Sequence, residues 1–149
     1  MRQFSATDLG EVFVTALVDG DAPRLAGTLA PDVQMRALIP PGPIEVLGAD
    51  EVAGKFAAWF GSAERLELLR SVSEPVADRL HVSYRLRVRR GGDPWNVVEQ
   101  HLLCAHDGGR ITTLDLVCKL PPGIRRQLTH RSPQRLVPRR TTVRATRPA

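Results

Sequence analysis

Cysteine is scarce in this chain of 149 residues: Cys104 and Cys118 are its only two. Two thiols do not make a disulfide framework, and no His/Cys spacing completes a zinc set. Aromatic residues make up 5% of the chain, with one tyrosine, which argues against a platform for stacked nucleobases. No window approaches the ~18 consecutive apolar residues of a membrane span. The opening stretch MRQFSATDLGEVF lacks the apolar core of a signal peptide, so the expectation is a cytoplasmic protein with reduced thiols and no membrane association. Gly-x-Ser-x-Gly, P-loop and dinucleotide fingerprints are missing too. Any catalysis would then be acid/base work without a cofactor or metal.

Acids are absent from one end of the chain. Residues 1–120 carry 13 Lys/Arg and all 16 Asp/Glu, a balance of −3, whereas residues 121–149 carry 8 Arg and no acid. The net charge of +5 therefore sums a mildly acidic domain and a strongly basic extension. Residues 121–149 are rich in proline, show no sustained apolar periodicity, and are expected to be a disordered tail. Any nucleic-acid or acidic-partner binding would run through its arginines, with strong salt dependence.

What is present in residues 1–120 is one domain's worth of patterned elements. Leu9, Val12, Phe13, Ala16 and Leu17 recur at helical spacing, predicting a helix over 6–18 capped by Ser5 or Thr7 and stopped by Gly20. A short helix over 23–29 follows. VQMRALI at 33–39 predicts a strand, and Pro40, Pro41 and Pro43 place it at a sheet edge or in a crossing loop. A short strand over 44–47 precedes a third helix over 51–60, with Val52, Phe56, Trp59 and Phe60 on one side. The remainder is β. A strand over 66–72 is broken by Glu74-Pro75. Residues 80–90 alternate clearly, with Val82, Tyr84, Leu86 and Val88 on one face and Ser83, Arg85, Arg87 and Arg89 on the other. Residues 97–105 and 111–118 form a hairpin around Asp107-Gly108-Gly109-Arg110. Helices early and an antiparallel meander late predict an α+β domain whose helices cover one face of a curved sheet and enclose a cavity.

LVDGDAPRLAGTLAPDVQMRALIPPGP, VLGADEVAGKFAAWF and the turn DGGRITTLDLV, taken in that order, resemble the SnoaL-like branch of the nuclear transport factor 2 (NTF2)-like superfamily over residues ~5 to ~120. The resemblance implies a cystatin-like cone with a cavity for a small hydrophobic molecule, and isomerase, cyclase or hydratase chemistry; a non-catalytic homodimeric association module is the alternative. It also excludes something. The ketosteroid isomerase positions fall on Phe13, Ala37 and His101, where that branch has a tyrosine and two acids, so steroid isomerisation of that kind is not expected.

The hairpin register decides which side chains face the cavity. With His106 opposite Ile111, Leu103 faces Leu114 and His101 faces Leu116. Glu99, His101, Leu103, Leu114, Leu116 and Cys118 then share one face, which the resemblance favours as cavity wall. A one-residue slip sets His101 against Asp115 instead. In the favoured register His101 is the candidate acid/base, oriented by Glu99. Its plainer alternative is a wall histidine with satisfied hydrogen bonds. Asp115 points outward, where an ion pair with an arginine on a neighbouring strand is its ordinary role. Arg36 would reach a ligand anion from the cavity wall or guard an exposed strand face. Phe13, Phe56, Trp59 and Tyr84 would line the cavity or simply fill the core. The arginine stripe of the 80–90 strand reads as a solvated face or as one paired in a homodimer.

Overall fold

The computed structural model describes residues 5–39 and 42–119. The basic extension 121–149 lies outside the described residues. Helix α1 (Ala6–Asp19) starts at Ser5, whose hydroxyl accepts from the Asp8 amide while the Asp8 carboxylate accepts from the Ser5 amide, and it ends at left-handed Gly20. Asp21 caps α2 (Ala22–Gly27). Strand β1 (Leu29–Ile39), β2 (Gly42–Leu47) and α3 (Ala49–Phe60) follow, then β3 (Arg65–Val76), β4 (Arg79–Arg89), β5 (Asn96–His106) and β6 (Ile111–Lys119).

The six strands form one sheet in the order β2-β1-β6-β5-β4-β3, antiparallel except where β1 runs parallel to β6. The parallel contact moves β1 away from the expected edge. Pro43 belongs to β2, where it is the register partner of Leu38, so β1 pairs on both sides while β2 takes the edge. Strand β3 also runs farther than its proline suggests: Pro75 pairs with Leu80, which an outer strand tolerates because one side of its backbone needs no ladder. The turn beyond it holds Ala77 at φ 56°, the one described non-glycine residue with positive φ.

All three helices lie over one face of the sheet. Helix α1 packs on β3 and β4, α3 on β1 and β2, and α2 bridges the two helices. Gly10 lets α1 come close: a Cβ there would meet Ser73 Oγ at 2.1 Å and Val82 Cγ2 at 2.9 Å. Irregularities in β1, β3 and β6 break the flat register, and each extra residue bends its strand.

One of these irregularities overturns the hairpin register. His106 does pair with Ile111, but Ala105 pairs with Thr113, which leaves Thr112 as an extra residue. Beyond it Leu103 faces Asp115, Leu102 faces Leu116 and His101 faces Val117. The helix-side face of β5 is therefore Val98, Gln100, Leu102 and Cys104, all buried, whereas His101 and Leu103 are exposed on the outer face.

Candidate functional site

Among the described residues, the space between helices and sheet, expected to be open, is occupied by packed side chains. Phe13 and Phe56 meet edge to face at 5.3 Å, and Phe56 meets Trp59 at 5.1 Å in the same manner. Tyr84, Met35, Leu114 and Leu116 close the remaining volume, each at most 1% exposed. Among these only Trp59 is partly accessible, at the rim. The polar groups inside serve each other. Tyr84 donates to Gln100 Oε1 at 2.5 Å, and Gln100 Nε2 reaches Cys118 Sγ at 3.6 Å. Burial drives the Tyr84 hydroxyl well above its ordinary pKa and pushes the Cys104 thiol up to about 12. Both groups are neutral packing elements with no access to a reactant. The expected register hides Gln100, because it places Gln100 with Leu102 and Cys104 on the face away from the cavity.

Open space lies at one end of the cone instead. A groove of about 310 Å³ runs between the last turn of α1, α2, the second half of α3 and the start of β3. Its walls are apolar, from Leu17, Leu25, Ala53, Phe56, Phe60 and Leu66, and Asp19, Asp21 and Glu64 add charge at its edge. Of the residues expected to contact a ligand, Phe56 alone belongs to it. Phe13, Tyr84, Leu114 and Leu116 are on the helix side as expected, but as packed core. The groove escaped the sequence reading because it forms where the α1–α2 junction meets α3 and the start of β3, two stretches separate in the chain.

His101 and Glu99 do not line any interior cavity, which corrects the expectation made from the hairpin. They lie on the outer face in a second depression, of about 340 Å³, with Arg70, Glu74, His81, Ser83 and Arg85. Glu74 Oε2 is 2.9 Å from His81 Nδ1, and His81 Nε2 is 3.3 Å from His101 Nδ1. His101 Nε2 in turn faces Glu99 Oε1 at 3.7 Å. Burial tends to raise the Glu99 carboxyl, but the Arg85 hydrogen bond and charge, with His101 and Lys119, outweigh it and hold the carboxyl below the usual range.

Arg36 and Leu103 are also outside, contrary to a role in the cavity. Arg36 makes a bidentate pair with Asp115 across the parallel strands, at 2.9 and 3.1 Å. That is the ion pair expected of Asp115. The arginine stripe of β4 is outward as expected and is paired along its length: Arg85 with Glu99, Arg87 with Glu67, Arg89 with Glu64. Arg87 also lies 4.2 Å over the Trp95 ring. Among the described residues no three His, Cys, Asp or Glu side chains converge as a metal set, and no described helix is long and apolar enough to cross a membrane.

No protein-family profile matches the chain, and no curated protein sequence matches it. Solved structures do. A candidate polyketide cyclase from Pseudomonas putida is 19% identical with a TM-score of 0.61, over 80% of this chain and 94% of that one. A second candidate polyketide cyclase, from Xanthomonas campestris pv. campestris, is 20% identical with a TM-score of 0.60, over 75% and 88%. A hypothetical protein with a ketosteroid isomerase-like fold from Catenulispora acidiphila, solved with trimethylamine, is 16% identical with a TM-score of 0.59, over 73% and 83%. At these identities the likeness is one of fold. The chain has the NTF2-like fold that its sequence resembles, the architecture shared by these cyclase-type and isomerase-like neighbours.

Proposed function

We propose that this protein binds a small, largely apolar molecule in the groove between α1, α2 and α3. One observation carries the reading: about 310 Å³ of open, apolar-walled space in a domain whose central core is otherwise filled. At about 30 Å³ per water, that volume matches a ligand of roughly ten heavy atoms. The groove offers carboxylates at its edge and no histidine, so binding is supported ahead of catalysis. Ala57 lines the groove from the exposed side of α3, which makes it the natural place to test. Titrating the ¹⁵N-labelled chain with cyclohexanol and with indole should give saturable amide shifts around Leu17, Leu25, Phe60 and Leu66. Ala57→Phe, which fills the groove without entering the core, should abolish them. Shifts absent from these residues with both probes would overturn the proposal.

A second reading is self-association through the outer face. Leu38 and Val117 are register partners on β1 and β6, exposed at 58% and 51%, and Leu103 at 40% lies on the adjoining strand. Leu38 and Val117 stand side by side, with Leu103 in the next outer-face row opposite Asp115, so the Arg36–Asp115 ion pair borders the apolar surface. Sedimentation velocity over a concentration series checks it: Val117→Lys should abolish any dimer, and a monomer at all concentrations would refute it.

A further inference from the structure

The outer face of the sheet carries a site that is independent of the groove. Across β3, β4, β5 and β6, Arg70, Arg85, Glu99 and Lys119 stand in one row, and the next row is Val72, Ser83, His101 and Val117. Two arginines thus face each other directly on neighbouring strands, an arrangement that repels unless something answers both charges. Glu99 answers Arg85, at 3.1 Å. Among the described residues no carboxylate answers Arg70. The two carboxylates that line the same depression are already engaged, Glu99 with Arg85 and Glu74 with His81.

The two histidines explain why Glu74 stays engaged, while Arg85 holds Glu99. Their rings are nearly parallel, at 9°, and the centroid separation of 5.6 Å is close to the 3.3 Å N···N distance plus two ring radii. They therefore lie head to head in nearly one plane, not one above the other. In the neutral pair, the proton placement that keeps the line bonded has His81 Nδ1–H donating to Glu74 and His101 Nδ1–H donating to His81 Nε2. Glu74 is thus held by His81, two outer-face rows along the sheet from Arg70. Among the described residues, neither the Arg70 guanidinium nor the Ser83 hydroxyl has a hydrogen-bond partner, and both line the 340 Å³ depression.

We propose that this depression binds a small oxyanion, a carboxylate or a phosphate, through the Arg70 guanidinium, with the Ser83 hydroxyl as second donor. A guanidinium fork matches two oxygens of such a group, and the anion supplies the charge that the Arg70–Arg85 pair lacks. The full chain, ¹⁵N-labelled, is titrated with sodium benzoate, inorganic phosphate and neutral benzamide, with sodium chloride at matched ionic strength. At least one oxyanion should give saturable shifts at Arg70, Ser83 and His101, and benzamide and chloride should not. Arg70→Gln should weaken binding by about 10- to 100-fold, the loss of a charge-assisted bond, while Arg24→Gln, on the far side of the domain, should leave it unchanged. Whichever of benzoate and phosphate binds more tightly identifies the class of oxyanion. The site is overturned if neither oxyanion shifts these residues, if chloride reproduces the shifts, or if they persist in Arg70→Gln.

Discussion

Gly10→Ala tests how closely α1 lies on the sheet. In an exposed helix interior the change should stabilise by about 1 kcal/mol, because glycine is the poorer helix former. Here the new Cβ would sit 2.1 Å from Ser73 Oγ, 3.0 Å from Ser73 Cβ and 2.9 Å from Val82 Cγ2. The hydroxyl must leave, and with it the 2.9 Å bond it donates to the Thr7 carbonyl at the start of α1. Overpacking of this kind costs about 1–3 kcal/mol and the lost bond about 1 kcal/mol. After the propensity gain the expected result is a net loss of roughly 1–3 kcal/mol. In a chain of this size that lowers Tm by roughly 2–4 °C per kcal/mol. Urea unfolding of four proteins settles it: the original chain, Gly10→Ala, Ser73→Ala and the double variant. Ser73→Ala alone gives up the Thr7 bond. In its background Gly10→Ala meets no hydroxyl and should cost clearly less than it does alone. Equal costs in both backgrounds, or stabilisation by Gly10→Ala alone, would refute the close approach.

Tyr84→Phe removes the donor to buried Gln100 Oε1 and should cost about 1–3 kcal/mol in urea unfolding, and adding Gln100→Met should recover part of it, since an apolar pair leaves no polar atom unpaired; no recovery would mean that Gln100 has other partners. With a thiol reagent at about pH 8, Cys118 should react first and Cys104, buried with its pKa pushed up to about 12, only on unfolding; peptide mapping that finds native Cys104 labelled as fast as in urea would contradict its burial. Ala77→Gly should stabilise by up to about 1 kcal/mol, because Ala77 sits in the left-handed region at φ 56°; a destabilised variant in thermal unfolding would show that the turn does not hold that conformation.

Much of the fold was legible because its cues are local. The Ser5 and Gly20 caps, the strict alternation of β4 and the Asp107 turn each rest on a few adjacent residues. Parallel pairing of β1 with β6 was not, since strands 79 residues apart leave no local mark of their pairing, and the prolines after Ile39 argued for an edge. The site failed for a narrower reason. Inward residues on β6 fall at Ile111, Leu114 and Leu116, spaced by three and then two, and a spacing of three within a strand is the mark of a bulge. On β5 the pattern alone favoured burial of Val98, Leu102 and Cys104 and exposure of Glu99 and His101; the family comparison pulled the histidine inward against it. The groove had no signature at all, being a meeting of helix ends.

The extra residue at Thr112 bears on how this chain is compared with others. Positions counted back from the turn keep their faces only as far as the bulge, so a column of an alignment drawn across it pairs inner with outer residues wherever the other protein lacks the extra residue. Equivalence has to be assigned strand by strand from the buried side, Leu102 and Leu116 first. On that basis the β5 residue that occupies the helix-side position is Gln100, and chemistry transferred to His101 by counting belongs to the opposite surface of the sheet.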